Sequence, residues 1–131
     1  MKKNVQSADA IAGHFVSYLY QEYGGNKHVR RVASWLGFIV LGLARITGLT
    51  LEIRRTRQLG FVYKNRKFKV KFNHGLGAAK QFKRGGIEVV EILPERGEPR
   101  GGSVVEINNL MEAEDFYLTC KDRLDKFCRS N

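Results

Sequence analysis

No carboxylate occurs between Ile53 and Ile87. The same stretch holds eleven basic residues: Arg54, Arg55, Arg57, Lys64, Arg66, Lys67, Lys69, Lys71, Lys80, Lys83 and Arg84. The remainder sets twelve basic residues against all thirteen acids, so the whole formal charge of +10 resides in one contiguous piece of chain. Positive potential concentrated in this way attracts polyanions. A merely solvated, solubilising face is the plainer alternative, and it would suit an evenly basic chain better than this segregated one.

Other scarcities exclude whole classes. With two prolines and no Pro-, Ser- or Gln-rich tract, the chain does not read as disordered. It shows no internal repeat. The two cysteines, Cys120 and Cys128, fall on one expected helix. Eight residues of helix span about 12 Å, beyond the ~7 Å Cα limit for a disulfide, so they read as core thiols of a cytoplasmic or other reducing intracellular compartment. Neither has a CxxC partner or nearby histidines, and no zinc site is expected. The longest uncharged run, Val32 to Ala44, has thirteen residues, short of the ~20 a membrane span needs. Met1-Lys2-Lys3 leads into a polar stretch through Asp9 rather than an apolar signal core. There is no GxSxG elbow, and Gly75-Leu76-Gly77 lacks the rest of a Walker loop. The histidines, His14, His28 and His74, are scattered; His74 suits either a phosphate contact or a hydrogen bond within its turn, the turn slightly favoured.

What is present fits one α+β domain over residues 1–131. Ser7 is placed to cap a helix carrying Ile11, Phe15, Leu19 and Tyr23 at helical spacing, ended by Gly24-Gly25. Asn26 caps a second helix from Lys27 to Ile46, stopped at Thr47-Gly48. That helix is apolar all round from Val32 to Ala44, which predicts deep burial. Strands follow at Leu49–Arg55, Gln58–Tyr63 and Lys67–Phe72, the last two joined by a hairpin at Lys64-Asn65-Arg66. A short helix over Ala78–Arg84, strands at Ile87–Leu93 and Ser103–Ile107, and a final helix capped by Asn108 or Asn109 complete the order. The expectation is two N-terminal helices, a central, mostly antiparallel sheet and a C-terminal helix striped with Phe116, Cys120, Leu124 and Phe127.

The third strand is the clearest signal. Phe68, Val70 and Phe72 alternate with Lys67, Lys69 and Lys71, and period two puts three ammonium groups on one face at about 6.6 Å intervals. That interval is close to the separation of successive phosphates along a nucleic-acid strand. A lysine row also protects an edge strand from pairing, which is the competing structural explanation.

The run Ile46-Thr47-Gly48-Leu49-Thr50, followed about twenty residues later by Lys71, resembles PvuII-type restriction endonucleases, with looser similarity from Gly24 to the last helix. The resemblance implies a nuclease-like scaffold with Lys71 in place of the family's catalytic lysine. Leu59 stands where the first metal-binding Asp belongs and Lys69 where the second acid belongs, and the family's DNA-reading histidines have no counterpart. The expectation is a scaffold that grips nucleic acid without cutting it and without a cofactor. Cleavage would require Mg²⁺ and acids elsewhere, Glu52 first and then Glu22, Glu88 or Glu91, since a divalent site needs at least two carboxylates. The leading expectation is therefore phosphate binding by the eleven basic residues, to DNA in preference to RNA. An RNA-binding ribosomal or processing subunit, a metal-dependent endonuclease and a protein- or anionic-membrane-binding module are the alternatives. A homodimer would suit a small DNA binder, although no interface is legible.

Overall fold

The structure is a computed structural model that describes residues 7–48, 50–55, 57–76, 87–94 and 104–129, with Arg55, residues 87–94, Val104 and Phe127 described by their backbone alone. Three helices and five strands form among these residues: α1 (Ala8–Tyr23), α2 (Lys27–Ile46), β1 (Glu52–Arg55), β2 (Gln58–Tyr63), β3 (Arg66–Asn73), β4 (Ile87–Pro94), β5 (Val104–Ile107) and α3 (Leu110–Arg129).

Each helix begins where a short polar side chain can accept from an unsatisfied amide of the first turn. Ser7 Oγ accepts from the Ala10 N–H at 3.1 Å, and Asn26 Oδ1 from the Val29 N–H at 2.9 Å. For α3, Asn109 Oδ1 accepts from the Glu112 N–H at 2.9 Å while Glu112 Oε1 accepts from the Asn108 N–H at 2.8 Å. This reciprocal arrangement resembles a capping box. The stops are equally local. Gly24 takes φ +87°, and its N–H donates to the Tyr20 carbonyl at 2.8 Å. Thr47 closes α2 by donating from Oγ1 to the Leu43 carbonyl at 2.9 Å.

The strands follow one another across the sheet in the order β1-β2-β3-β4-β5, every pair antiparallel. Between β2 and β3 only Lys64 and Asn65 intervene, at φ +50° and +65°. Positive φ at both central residues is the mark of a type I′ turn, whose twist matches that of the flanking strands. The turn pairs Tyr63 with Arg66 and so fixes the register up to Gln58 with Lys71.

Among the described residues, one face of this meander is covered and the other is not. Leu59, Phe61, Phe68, Val70, Phe72 and Ile107 point inward, into a single core with Ile11, Phe15 and Leu19 of α1, most of α2, and Ala113, Phe116, Cys120 and Leu124 of α3. Phe15 meets Phe72 with ring centroids 6.1 Å apart, and Phe61 stacks on Phe68 at 5.7 Å. Full burial of side chains of this size stabilises by about 1.5–3 kcal/mol each. The all-round apolar α2 lies between α1 and α3, which explains its composition. Its glycines mark the close approaches: a Cβ on Gly37 would stand 3.1 Å from Val16 of α1, and one on Gly42 would stand 2.2 Å from Cγ and Cδ1 of Tyr117 of α3. Among the described residues no helix is long and apolar enough to cross a membrane.

The expected α+β arrangement is therefore the one observed, with small differences of extent. β1 begins at Glu52 rather than Leu49, and β3 starts at Arg66 because the hairpin loop has only two residues. The expected short helix over Ala78–Arg84 lies outside the described residues.

Candidate nucleic-acid interface

The uncovered face of the sheet is built by residue parity. Since Phe68, Val70 and Phe72 are buried in the core, Lys67, Lys69 and Lys71 must emerge opposite. Lys67 and Lys71 are exposed and Lys69 is half-buried among its neighbours. The pairing then sets their surroundings. Lys67 pairs with Val62, Lys69 with Gly60 and Lys71 with Gln58. Paired residues of an antiparallel ladder share a face, so uncharged positions of β2 flank the lysines. The ion pairs seen among the described residues, Arg54–Glu52 and Lys64–Asp125, involve none of the three.

The other basic residues divide. Arg54 shares the lysine face: its Nε donates to Glu52 Oε1 at 3.2 Å, and its guanidinium lies over Gly60. Arg57 is exposed in the β1–β2 turn, where its carbonyl accepts from the Phe72 N–H at 2.7 Å. Arg55 sits on β1 in register with Gln58. Lys64 and Arg66 do not join the row. Lys64 Nζ donates to Asp125 Oδ1 of α3 at 2.9 Å, and Arg66 lies 5.7 Å from the centroid of the inward-facing Phe68 ring. Both therefore turn to the helix side, Arg66 because it has the same parity as Phe68. Lys80, Lys83 and Arg84 lie outside the described residues.

The Lys64 contact belongs to a small network. The Tyr63 hydroxyl donates to the same Asp125 oxygen at 2.8 Å. Two donors on one carboxylate, Lys64 first and Tyr63 second, hold the Asp125 carboxyl below the usual carboxylate range. The same carboxylate raises the Lys64 ammonium, and burial with the Asp125 hydrogen bond pushes the Tyr63 phenol up. The network ties the β2–β3 hairpin to α3 across more than sixty residues of sequence, and nothing local in the sequence announces it.

The aromatic residues near the basic stretch do not stand on the lysine face. Phe61 is buried against Phe68, and Tyr63 is engaged by Asp125. His74 is fully buried: its ring meets Tyr23 of α1 edge-on at 5.4 Å, and Nδ1 accepts from the Leu76 N–H at 3.2 Å. The turn reading of His74 is the one observed.

The acids considered for a metal site stay apart where they are described. Glu22 is exposed near the end of α1. Glu52 is in register with Gly60 on β2, and Lys71 with Gln58. Two strand separations, about 10 Å, and a further two residues along the strand divide Glu52 from Lys71. Glu88 pairs with Glu106 on one side and Asn73 on the other. Among the described residues no three metal-ligating side chains converge. Cys120 is buried, with its thiol pushed up to about 12 by burial, and Cys128 is half-buried; both are free. Comparison with protein-family models, curated proteins and solved structures found no match.

Proposed function

We propose that the lysine-bearing face of the sheet binds the phosphate backbone of a nucleic acid, duplex DNA in preference to RNA. One observation carries the reading: three lysines from alternate positions of one strand stand side by side on a surface that the core does not need and that no described carboxylate quenches. Contacts of this kind hold and orient a duplex without reading its sequence. The placement of Phe61 and Tyr63 supports backbone contact over single-strand capture, which relies on aromatic stacking platforms. The resemblance of Ile46–Thr50 and Lys71 to restriction endonucleases favours DNA, and the separation of Glu52 from Lys71 favours binding without cleavage.

The test is fluorescence anisotropy with labelled duplex DNA, duplex RNA and single strands across a salt series, with anionic vesicles at matched salt as a further arm. Duplex DNA should bind most tightly, and its log K should fall linearly with log salt. A flat salt response, or vesicles outcompeting every nucleic acid, would reject the proposal. Plasmid incubated with Mg²⁺ or Mn²⁺ should stay intact; cutting that Lys71→Ala abolishes would establish the nuclease alternative instead.

A further inference from the structure

Beside the lysine row the outer face carries a second charged assembly. Arg54 does not extend freely into solvent; its guanidinium lies on the backbone of Gly60, where an added Cβ would stand 2.6–2.7 Å from Nε, Cζ and Nη2. The missing side chain of Gly60 thus leaves a seat for the guanidinium, which a Cβ there would displace. On its far side Gly60 pairs with Lys69. Lys67 lines the same shallow depression of about 100 Å³ as Thr50, Glu52, Arg54 and Gly60. Two cations therefore border one small hollow, and one of them already touches a carboxylate.

That carboxylate is a weak clamp. Glu52 meets Arg54 through Nε at 3.2 Å, longer than the ~2.7–2.9 Å of a strong charge-assisted bond. Its side chain is 69% exposed. An exposed pair of this kind shifts an equilibrium by a factor of about two to five at most. A phosphodiester meets a guanidinium through two parallel N–H donors, a stronger geometry than the 3.2 Å Nε contact to Glu52.

Building on the proposed role of the lysine face, we infer that Arg54 and Lys67 hold one phosphodiester of the bound nucleic acid in this depression, and that Glu52 is its resident competitor. Glu52 keeps the guanidinium seated on Gly60 in the empty protein and yields when a phosphate arrives. Arg54 is then a second cation on the phosphate that Lys67 holds, its guanidinium lying over Gly60 of β2, and Glu52 sets the threshold for its engagement.

A double-mutant cycle over Glu52→Gln and Arg54→Ala, read by anisotropy on labelled duplex DNA in a salt series, tests the inference. Glu52→Gln should tighten binding about two- to fivefold at low salt. Arg54→Ala should weaken binding and flatten the log–log salt slope by less than about 0.9, because Lys67 still holds the shared phosphate. In the Arg54→Ala background Glu52→Gln should change nothing, because its effect passes through Arg54. Equal tightening by Glu52→Gln with and without Arg54 would reduce Glu52 to a background charge and overturn the inference, as would no effect of either single variant. An equal gain for inorganic phosphate would reassign the depression to a free anion. Gly60→Ala, which unseats the guanidinium by its far end, should reproduce the Arg54→Ala slope, and a parental slope would count against the seat. Circular dichroism confirms that the surface variants are folded. The Lys67, Lys69, Lys71 triple alanine separates this inference from its premise: loss of binding there, with a null cycle, defeats the clamp alone, whereas unchanged binding in the triple variant defeats the interface itself.

Discussion

Replacing Lys67, Lys69 and Lys71 together by alanine removes three ammonium groups from one face of β3 and leaves Phe68, Val70 and Phe72 in place on the other. Each phosphate neutralised on duplex DNA contributes about −0.9 to the slope of log K against log salt. Three contacts give about −2.7, so the row accounts for a loss of roughly 40-fold in affinity between about 50 and 200 mM salt. The quantity to measure is the difference in slope between parent and variant on one labelled duplex. It should be close to 2.7, with each single replacement supplying about a third. Stability should move by less than about 0.5 kcal/mol per site, as for surface positions without special contacts. Charge counting on the sequence invites a different number: six phosphates and a slope of about −5 from Lys64, Arg66 and their neighbours. The structure separates those two residues from the row, one onto Asp125 and one beside the Phe68 ring. A triple variant that keeps the parental slope would refute the placement of the interface on this strand. A single Lys64→Ala that lowers the slope as much as Lys69→Ala would refute the division by face.

Further predictions follow from the interior. Gly42→Ala should lower stability by about 1–2 kcal/mol in thermal or denaturant unfolding, because overpacking against the Tyr117 ring outweighs the helix gain; in a Tyr117→Ala background the same change should raise stability by up to about 1 kcal/mol. The Asp125 carboxyl is depressed in the folded protein by Lys64 and then Tyr63. Its stabilising contribution is therefore complete above the ordinary carboxylate pKa of about 4 and is lost as pH falls through the folded value. Asp125→Asn should flatten the acid limb of stability against pH, and an unchanged limb would remove the network from the account. Thiol titration of the native protein should label Cys128 and leave Cys120, whose thiol is pushed up to about 12, unreacted until denaturant is added. Rapid labelling of both would contradict the burial of Cys120.

The elements were legible because each carries its own local chemistry. Ser7, Asn26 and Asn109 mark helix starts by side-chain acceptors within a turn, and Thr47-Gly48 marks a stop. The alternation of β3 identifies both its faces. Parity, applied further, also separates Arg66 from the lysine row; grouping by charge alone obscures it. What the sequence withheld is long-range. Asp125 is sixty-one residues from Lys64, and no spacing rule joins them. Gly42 looks like any helical glycine until Tyr117 is packed on it. Gly60 has no local signal either, since the guanidinium that lies over it comes from the adjoining strand.

The odd and even positions of β3 answer to different masters. Residues 68, 70 and 72 are constrained by the packing of three helices behind them, while 67, 69 and 71 point away from that core. A library randomised at the three odd positions should therefore return folded proteins across a wide span of charge. The charge of this surface can be raised, abolished or inverted in sign without renegotiating the interior.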